Sequence, residues 1–139
     1  MEILVFGAGS LGSLLGGLLA REHDVTLVGR DPHAATVAAE GLRVTGAVET
    51  TVQPRAVTAL PTDCRADLAV VTVKAYDTDE AARALSDCDL DAALSLQNGL
   101  GNEATLAAHL DCPVLAGTCT YGAILEDPGR VACTGVGEG

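Results

Sequence analysis

The sequence predicts an α/β domain: a doubly wound, mostly parallel sheet with helices on both faces. Three observations predict it. Short runs of branched apolar residues recur along the chain, stretches of helical periodicity separate them, and aromatic residues make up only 2% of the composition. A core drawn from Val, Leu, Ile and Ala suits strands buried on both faces under Ala-rich helices. With 139 residues, 48% of them hydrophobic, the chain is expected to form one compact domain with a real core.

Taken in order, Glu2 to Phe6 (EILVF) reads as a buried strand that stops at Gly7. From Ser10, Leu11, Leu14, Leu15, Leu18 and Leu19 recur at helical spacing. The interposed Gly12, Gly16 and Gly17 cost helix propensity but let a helix approach a strand closely. Asp24 to Val28 (DVTLV) is the second strand. Asp31-Pro32 reads as an N-cap followed by proline at the first helical position, opening a helix that runs to Glu40. Leu42 to Thr45 and Glu49 to Thr58 read as weaker strands, separated by Gly46. Asp67 to Val73 (DLAVVTV) is the clearest buried strand after the first, followed by Lys74 and a helix from about Asp77 to Leu85. Ala92 to Leu96 is a strand, Asn102 to Leu110 a helix and Val114 to Thr118 a strand. The tail from Tyr121 to Gly139 reads as two short strands around the turn Asp127-Pro128-Gly129.

Charge narrows the partners. Nineteen acidic residues against eight basic ones give a net charge of −11. Such a surface repels phosphate backbones and anionic lipids, so neither nucleic acid nor membrane is an expected partner. The acids are scattered along the chain, as in proteins of salt-loving organisms; the other reading is an ordinary acidic bacterial protein. Five cysteines and three histidines show no metal-ligand spacing. No metal site and no disulfide framework are expected, and reduced thiols fit a cytoplasmic protein. The longest apolar stretch, Leu11 to Ala20, is too short to span a bilayer. Glu2 stands before it where a signal peptide would be basic.

Gly7-Ala8-Gly9-Ser10-Leu11-Gly12 is a GxGxxG directly after a strand and opening a helix. Gly7 permits the tight turn, Gly9 leaves room for a pyrophosphate, and Gly12 allows helix and strand to pack closely. Amides at the helix start then bind the phosphates. The end of the second strand selects the cofactor: an acid there binds the ribose hydroxyls of NAD, an arginine the 2′-phosphate of NADP. Arg30 points to NADP. Asp31 follows at once and, shifted by one residue, would reach the ribose of NAD; its other role is the helix N-cap.

In an open sheet of this kind ligands lie beyond the carboxyl ends of the strands. Lys74, Asn98, Thr118, Thr120 and Ala123 fall there. Lys74 is the only lysine in the chain. Asn98, in Gln-Asn-Gly-Leu-Gly, reads either as a turn residue or as a carboxamide orienting a substrate carbonyl. Clustered Asp77, Asp79 and Glu80 read as acids favoured by a helix dipole.

The set GAGSLG, VGR, VTVKAYD, QNGLG and GTCTYGA, in this order, resembles the amino-terminal domain of the ketopantoate reductase (2-dehydropantoate 2-reductase) family along essentially the whole chain. The resemblance implies a Rossmann-type domain over residues 1–139 and NADPH-dependent reduction of 2-dehydropantoate to pantoate, on the route to coenzyme A. It implies that Gly7, Ala8, Gly9, Ser10, Leu11 and Gly12 hold the pyrophosphate and that Arg30 meets the 2′-phosphate. Lys74 would lie beside the cofactor, Asn98 on both nicotinamide ribose and substrate, and Ala123 along the nicotinamide pocket through its backbone. The family's helical second domain, with its lysine proton donor and substrate-binding glutamate, is not in this chain, so no catalytic residue is assigned. The chain alone is expected to bind cofactor with little or no turnover. Two other expectations share the fold: a reductase domain for a different 2-oxo acid, and an NAD(P)-binding module that senses redox state or serves as a subunit. On any of these readings the expected partners are a small-molecule 2-oxo acid and, as a possible homo-oligomer, further copies of the chain.

Overall fold

The computed structural model describes residues 1–73, 77–96, 102–117 and 121–135. In chain order the elements are β1 (Glu2–Phe6), α1 (Ser10–Leu19), β2 (Asp24–Val28), α2 (His33–Glu40), β3 (Leu42–Gly46), β4 (Thr50–Val52), β5 (Arg55–Val57), β6 (Arg65–Val71), α3 (Thr78–Leu85), β7 (Asp89–Ser95), α4 (Asn102–His109), β8 (Val114–Ala116), β9 (Gly122–Asp127) and β10 (Arg130–Gly135).

Six strands form one sheet in the order β5-β2-β1-β6-β7-β8, every neighbouring pair parallel. Counted along the sheet this is the 3-2-1-4-5-6 order of a Rossmann-type fold. Alternation along the strands feeds two cores. Ile3, Val5 and Val70 point into one cluster, Leu4, Ala69 and Val71 into the other. The second cluster is closed by Ala81, Ala82 and Leu85 of α3 and by Leu106 of α4. The first is closed by Leu14 of α1 and Val37 of α2, and by a feature the sequence did not disclose.

That feature is a second, four-stranded sheet of order β4-β3-β10-β9, lying across α1 from the first. Leu42, Val44, Val52 and Val131 carry its buried face. The tail hairpin is present, with Gly129 at φ +78 in its turn, but β10 runs parallel to β3 and completes this second sheet. The stretch expected as one strand from Glu49 to Thr58 is divided between the two sheets. Thr50–Val52 pairs with β3, and Arg55–Val57 pairs with β2. Pro54 stands at the division; without an N–H it cannot continue a ladder.

Other boundaries moved too: β6 runs over Arg65–Val71 where Asp67 to Val73 was expected, and two further shifts have a visible physical reason. β7 begins at Asp89, earlier than the acidic Asp89-Leu90-Asp91 suggested, because Arg65 on the neighbouring strand collects Asp67, Asp89 and Asp91 at 3.1–3.7 Å. α2 begins at His33 rather than Pro32, yet the Asp31 carboxylate still accepts the Ala35 N–H at 3.0 Å and serves the helix start.

Candidate functional site

The strand order reverses between β1 and β6, and a cleft of about 890 Å³ opens beyond their carboxyl ends. Open parallel sheets place ligands at such a point. A smaller hollow of about 600 Å³ lies at the opposite, amino ends of the strands, near Glu2, Asp24 and Arg55, where the fold offers neither helix amino termini nor a glycine loop.

The glycine-rich loop forms one wall of the cleft. Gly7, at φ +112, turns the chain out of β1, and the N–H groups of Gly7 and Ala8 both donate to Val28 O at 3.0 Å. This anchors the loop to the end of β2. The Thr72 hydroxyl, just past β6, donates to Gly7 O at 2.7 Å, so the loop is also tied across the switch point. Gly12 lies against that same carbonyl: an added Cβ would run into Gly7 O and the Thr72 hydroxyl. Thr72 was not singled out from sequence, and nothing in a lone threonine at a strand end would have marked it.

Gly9 behaves differently. An added Cβ there would meet nothing within 4 Å, so the absent side chain serves no packing need and leaves open space at the start of α1. The first bond of the helix is Ser13 N–H to Gly9 O at 2.9 Å. The amides of Ser10, Leu11 and Gly12 therefore lack partners within the helix and, with the positive end of its dipole, favour an anion. The Ser10 hydroxyl accepts the Leu125 N–H at 3.0 Å; it ties β9 to the loop and leaves the backbone as the anion-facing part of Ser10. Open space over a row of amides fits a pyrophosphate.

Arg30 stands exposed on the rim at the end of β2 and, among the described residues, makes no ion pair. The cleft therefore brings together Gly7, Ala8, Gly9, Ser10, Leu11 and Arg30, with Gly12 packed behind the loop. Ala123 sits further along β9, opposite Cys133 in register and packed on the first core cluster; it is not among the described residues that line the cleft. Lys74, Asn98, Thr118 and Thr120 lie outside the described residues.

One occupant of the cleft wall, His33, carries no signal in the sequence, where the three histidines show no metal-ligand spacing. His33 is only 6% exposed. Its Nδ1 accepts the Gly129 N–H at 2.9 Å, its Nε2 lies 2.9 Å from Ser13 Oγ, and the Ser13 hydroxyl is 3.2 Å from Ala8 O. Burial pushes its pKa below the ordinary histidine value. His109 also has a partner, Asp79 at 3.2 Å, which binds Arg83 at 2.8 Å as well. Asp79 therefore joins α3 to α4 besides standing in the first turn of its own helix. No helix among the described residues is long and apolar enough to cross a membrane.

Comparison with known proteins agrees with this geometry. The model of a family described as ketopantoate reductase PanE/ApbA matches residues 3–139. A 2-dehydropantoate 2-reductase of Halobacterium salinarum is 49% identical over 99% of this chain and 48% of its own length, and one of Pyrococcus horikoshii is 40% identical over 99% and 46%. Among solved structures, a PanE/ApbA family ketopantoate reductase from Ralstonia eutropha JMP134 superposes with a TM-score of 0.91 at 34% identity, over 97% of this chain and 47% of that one. D-mandelate dehydrogenase, solved with NADH and anilino(oxo)acetate, superposes with a TM-score of 0.86 at 25% identity, over 97% and 46%. The chain spans about half the length of the relatives it matches.

Proposed function

This chain belongs to the ketopantoate reductase PanE/ApbA family, and from that premise we propose that it is the NADPH-binding half of a 2-dehydropantoate 2-reductase. The observation that carries the cofactor assignment is the division of labour at the end of β2. The Asp31 carboxylate is engaged with the Ala35 N–H, whereas Arg30 stands unpaired among the described residues on the cleft rim. An arginine so placed suits a 2′-phosphate.

When bound, the nicotinamide supplies the hydride for ketone reduction. The chain's own part is to hold and orient. The Gly9 gap and the amides of Ser10 to Gly12 receive the pyrophosphate, and Gly7, Ala8 and Thr72 keep the loop in place. Residues 1–139 act as one dinucleotide-binding domain. Lys74 beside the cofactor, Asn98 on ribose and substrate, and Ala123 along the nicotinamide pocket complete the assignment carried by the resemblance. The proton donor and the second wall of the substrate site come from the half that the longer relatives possess, so this half alone binds nucleotide and turns over little or no 2-oxo acid.

A second reading, a reductase domain for another 2-oxo acid using NADH, is favoured by one observation: the likeness to D-mandelate dehydrogenase, solved with NADH and anilino(oxo)acetate. Titration of the folded chain with NADPH and with NADH in molar potassium chloride, followed by nicotinamide fluorescence, separates the two. Preference for NADPH that is lost in Arg30→Ala is the expected result. Equal or tighter NADH binding moves the ribose contact to Asp31 and supports the second reading.

A further inference from the structure

We propose that His33 is a positioning residue for the glycine-rich loop: acting through Ser13, it holds the Ala8–Gly9 peptide with its N–H turned toward the phosphate side of the cleft. The inference rests on the nucleotide reading of the cleft and adds a residue to it.

The direction of each hydrogen bond follows from donor chemistry. Gly129 N–H can only donate, so His33 Nδ1 is an acceptor and carries no proton. In a neutral ring the proton is then on Nε2, which donates to Ser13 Oγ. The Ser13 hydroxyl hydrogen is left to point at Ala8 O. In a trans peptide the carbonyl and the N–H of the same plane face opposite ways. The Asp31-Pro32 bond is the only cis bond among the described residues, so the Ala8–Gly9 bond is trans. With Ala8 O drawn inward onto Ser13, the Gly9 N–H faces the open side, where an added Cβ would meet no atom.

Burial keeps this chain of bonds from exchanging with water: Ser13 is 0% exposed. It also joins three separate segments, since Gly129 is in the β9–β10 turn, His33 opens α2 and Ser13 is in α1. Protonation of Nδ1 would set two donors against each other at Gly129. The ionisable groups sharing the cleft are Arg30 and Asp31 beside α2, Glu126 and Asp127 on β9, and Asp77 and Glu80 at α3. α1 contributes none, and the shift of His33 comes from burial rather than from any of these.

The test is calorimetric titration of the chain with NADP⁺ between pH 5.5 and 8, for the wild type, Ser13→Ala, His33→Ala, their double variant and His33→Gln, each checked for fold by circular dichroism. Loss of one buried neutral hydrogen bond predicts about fivefold to tenfold weaker binding for Ser13→Ala. His33→Ala should lose a similar factor, and the double variant no more than either alone. His33→Gln retains an N–H for Ser13 but cannot ionise; it should bind as wild type near pH 7.5 with a flatter profile at low pH. The 2′-phosphate titrates near pH 6 in both proteins, so only the difference between their profiles reports on His33. The Gly9 amide, open to solvent without nucleotide, should exchange fast in the wild type and gain protection when NADP⁺ binds, and that gain, read by NMR at equal occupancy, should be smaller in Ser13→Ala. If the wild type binds NADP⁺ while folded Ser13→Ala and His33→Gln reproduce its affinity, pH profile and Gly9 exchange, the inference is wrong and the cleft reading stands. If the folded wild type binds neither NADP⁺ nor NAD⁺, the cleft reading fails and the inference with it.

Discussion

Gly16 and Gly17 are neighbours in α1 that press on different sheets. A Cβ on Gly16 would run into Leu27 and reach Val5 at 3.6 Å in the six-stranded sheet, whereas one on Gly17 would lie 2.8 Å from Val44 and 3.1 Å from Leu42 in the four-stranded sheet. The helix is thus held between two β layers with no slack on either side, and consecutive glycines at its middle are what allow both approaches.

Gly17→Ala should therefore destabilise the fold although alanine favours helix. The gain in propensity is about 1 kcal/mol, and overpacking a filled core costs about 1–3 kcal/mol. A drop in the urea midpoint, followed by circular dichroism, is the expected outcome; an unchanged or raised midpoint would show that Leu42 and Val44 can yield.

Gly9→Ala separates binding from folding. Its backbone lies at φ −81 and ψ −154, extended geometry open to any residue, and its Cβ would meet nothing. Stability should stay within about 0.5 kcal/mol of wild type, while NADPH affinity falls at least about tenfold as the methyl enters the space left for phosphate. Gly12→Ala should do the reverse damage, losing the fold itself, because its Cβ meets the Gly7 carbonyl. Thermal unfolding and nucleotide titration on the same preparations distinguish the two; a Gly9→Ala variant that binds normally would place the phosphate elsewhere.

Acid should loosen the fold in two windows. His33 is held below its ordinary value of 6.5 by burial, so between that value and its lowered one the unfolded chain binds more protons than the folded one. Stability is then full above about pH 6.5 and declines as pH falls through this window. Asp67 is held below 3.8, first by the Glu2 N–H and then by Arg65, and its contribution is lost only as pH falls below the ordinary carboxylate range. Urea midpoints against pH should show the upper slope in wild type and not in His33→Gln, with the lower one present in both. An identical upper slope in the variant would contradict the assignment.

Cys88 should be nearly inert. Burial, then its hydrogen bond with Cys64, pushes its thiol up to about 12, which removes most of the reactive thiolate at pH 8. Alkylation by iodoacetamide, mapped by mass spectrometry, should run on the order of a hundredfold slower at Cys88 than at a free cysteine and recover in urea.

What the sequence disclosed followed what is local in a chain. β1, α1 and β2 were legible because an apolar run, a glycine turn and a helical period sit side by side, and the fingerprint loop came with them. The second sheet was not legible, since its closing pair joins Arg43–Gly46 to Arg130–Cys133 and no periodicity links strands so far apart. Pro54 was visible as a residue but not as the point where the chain changes sheets. The His33 relay was hidden for the same reason: its partners are 20 and 96 residues away, and histidine spacing alone reads as isolation.

The pairing of β10 with β3 also means that the second sheet cannot close on the ribosome until the last described strand has been made. Every strand of the six-stranded sheet has been synthesised by Ala116, but the outer side of α1 stays incompletely covered until Val131 and Cys133, both buried in the first core cluster, emerge from the exit tunnel. A nascent chain passes through a stage in which Leu42 and Val44 have β4 on one flank and an unpaired edge on the other. Such an edge beside apolar surface is what holdase chaperones capture and what aggregates form from. The hairpin that ends the described chain is therefore the step at which a vulnerable translation intermediate becomes a closed domain.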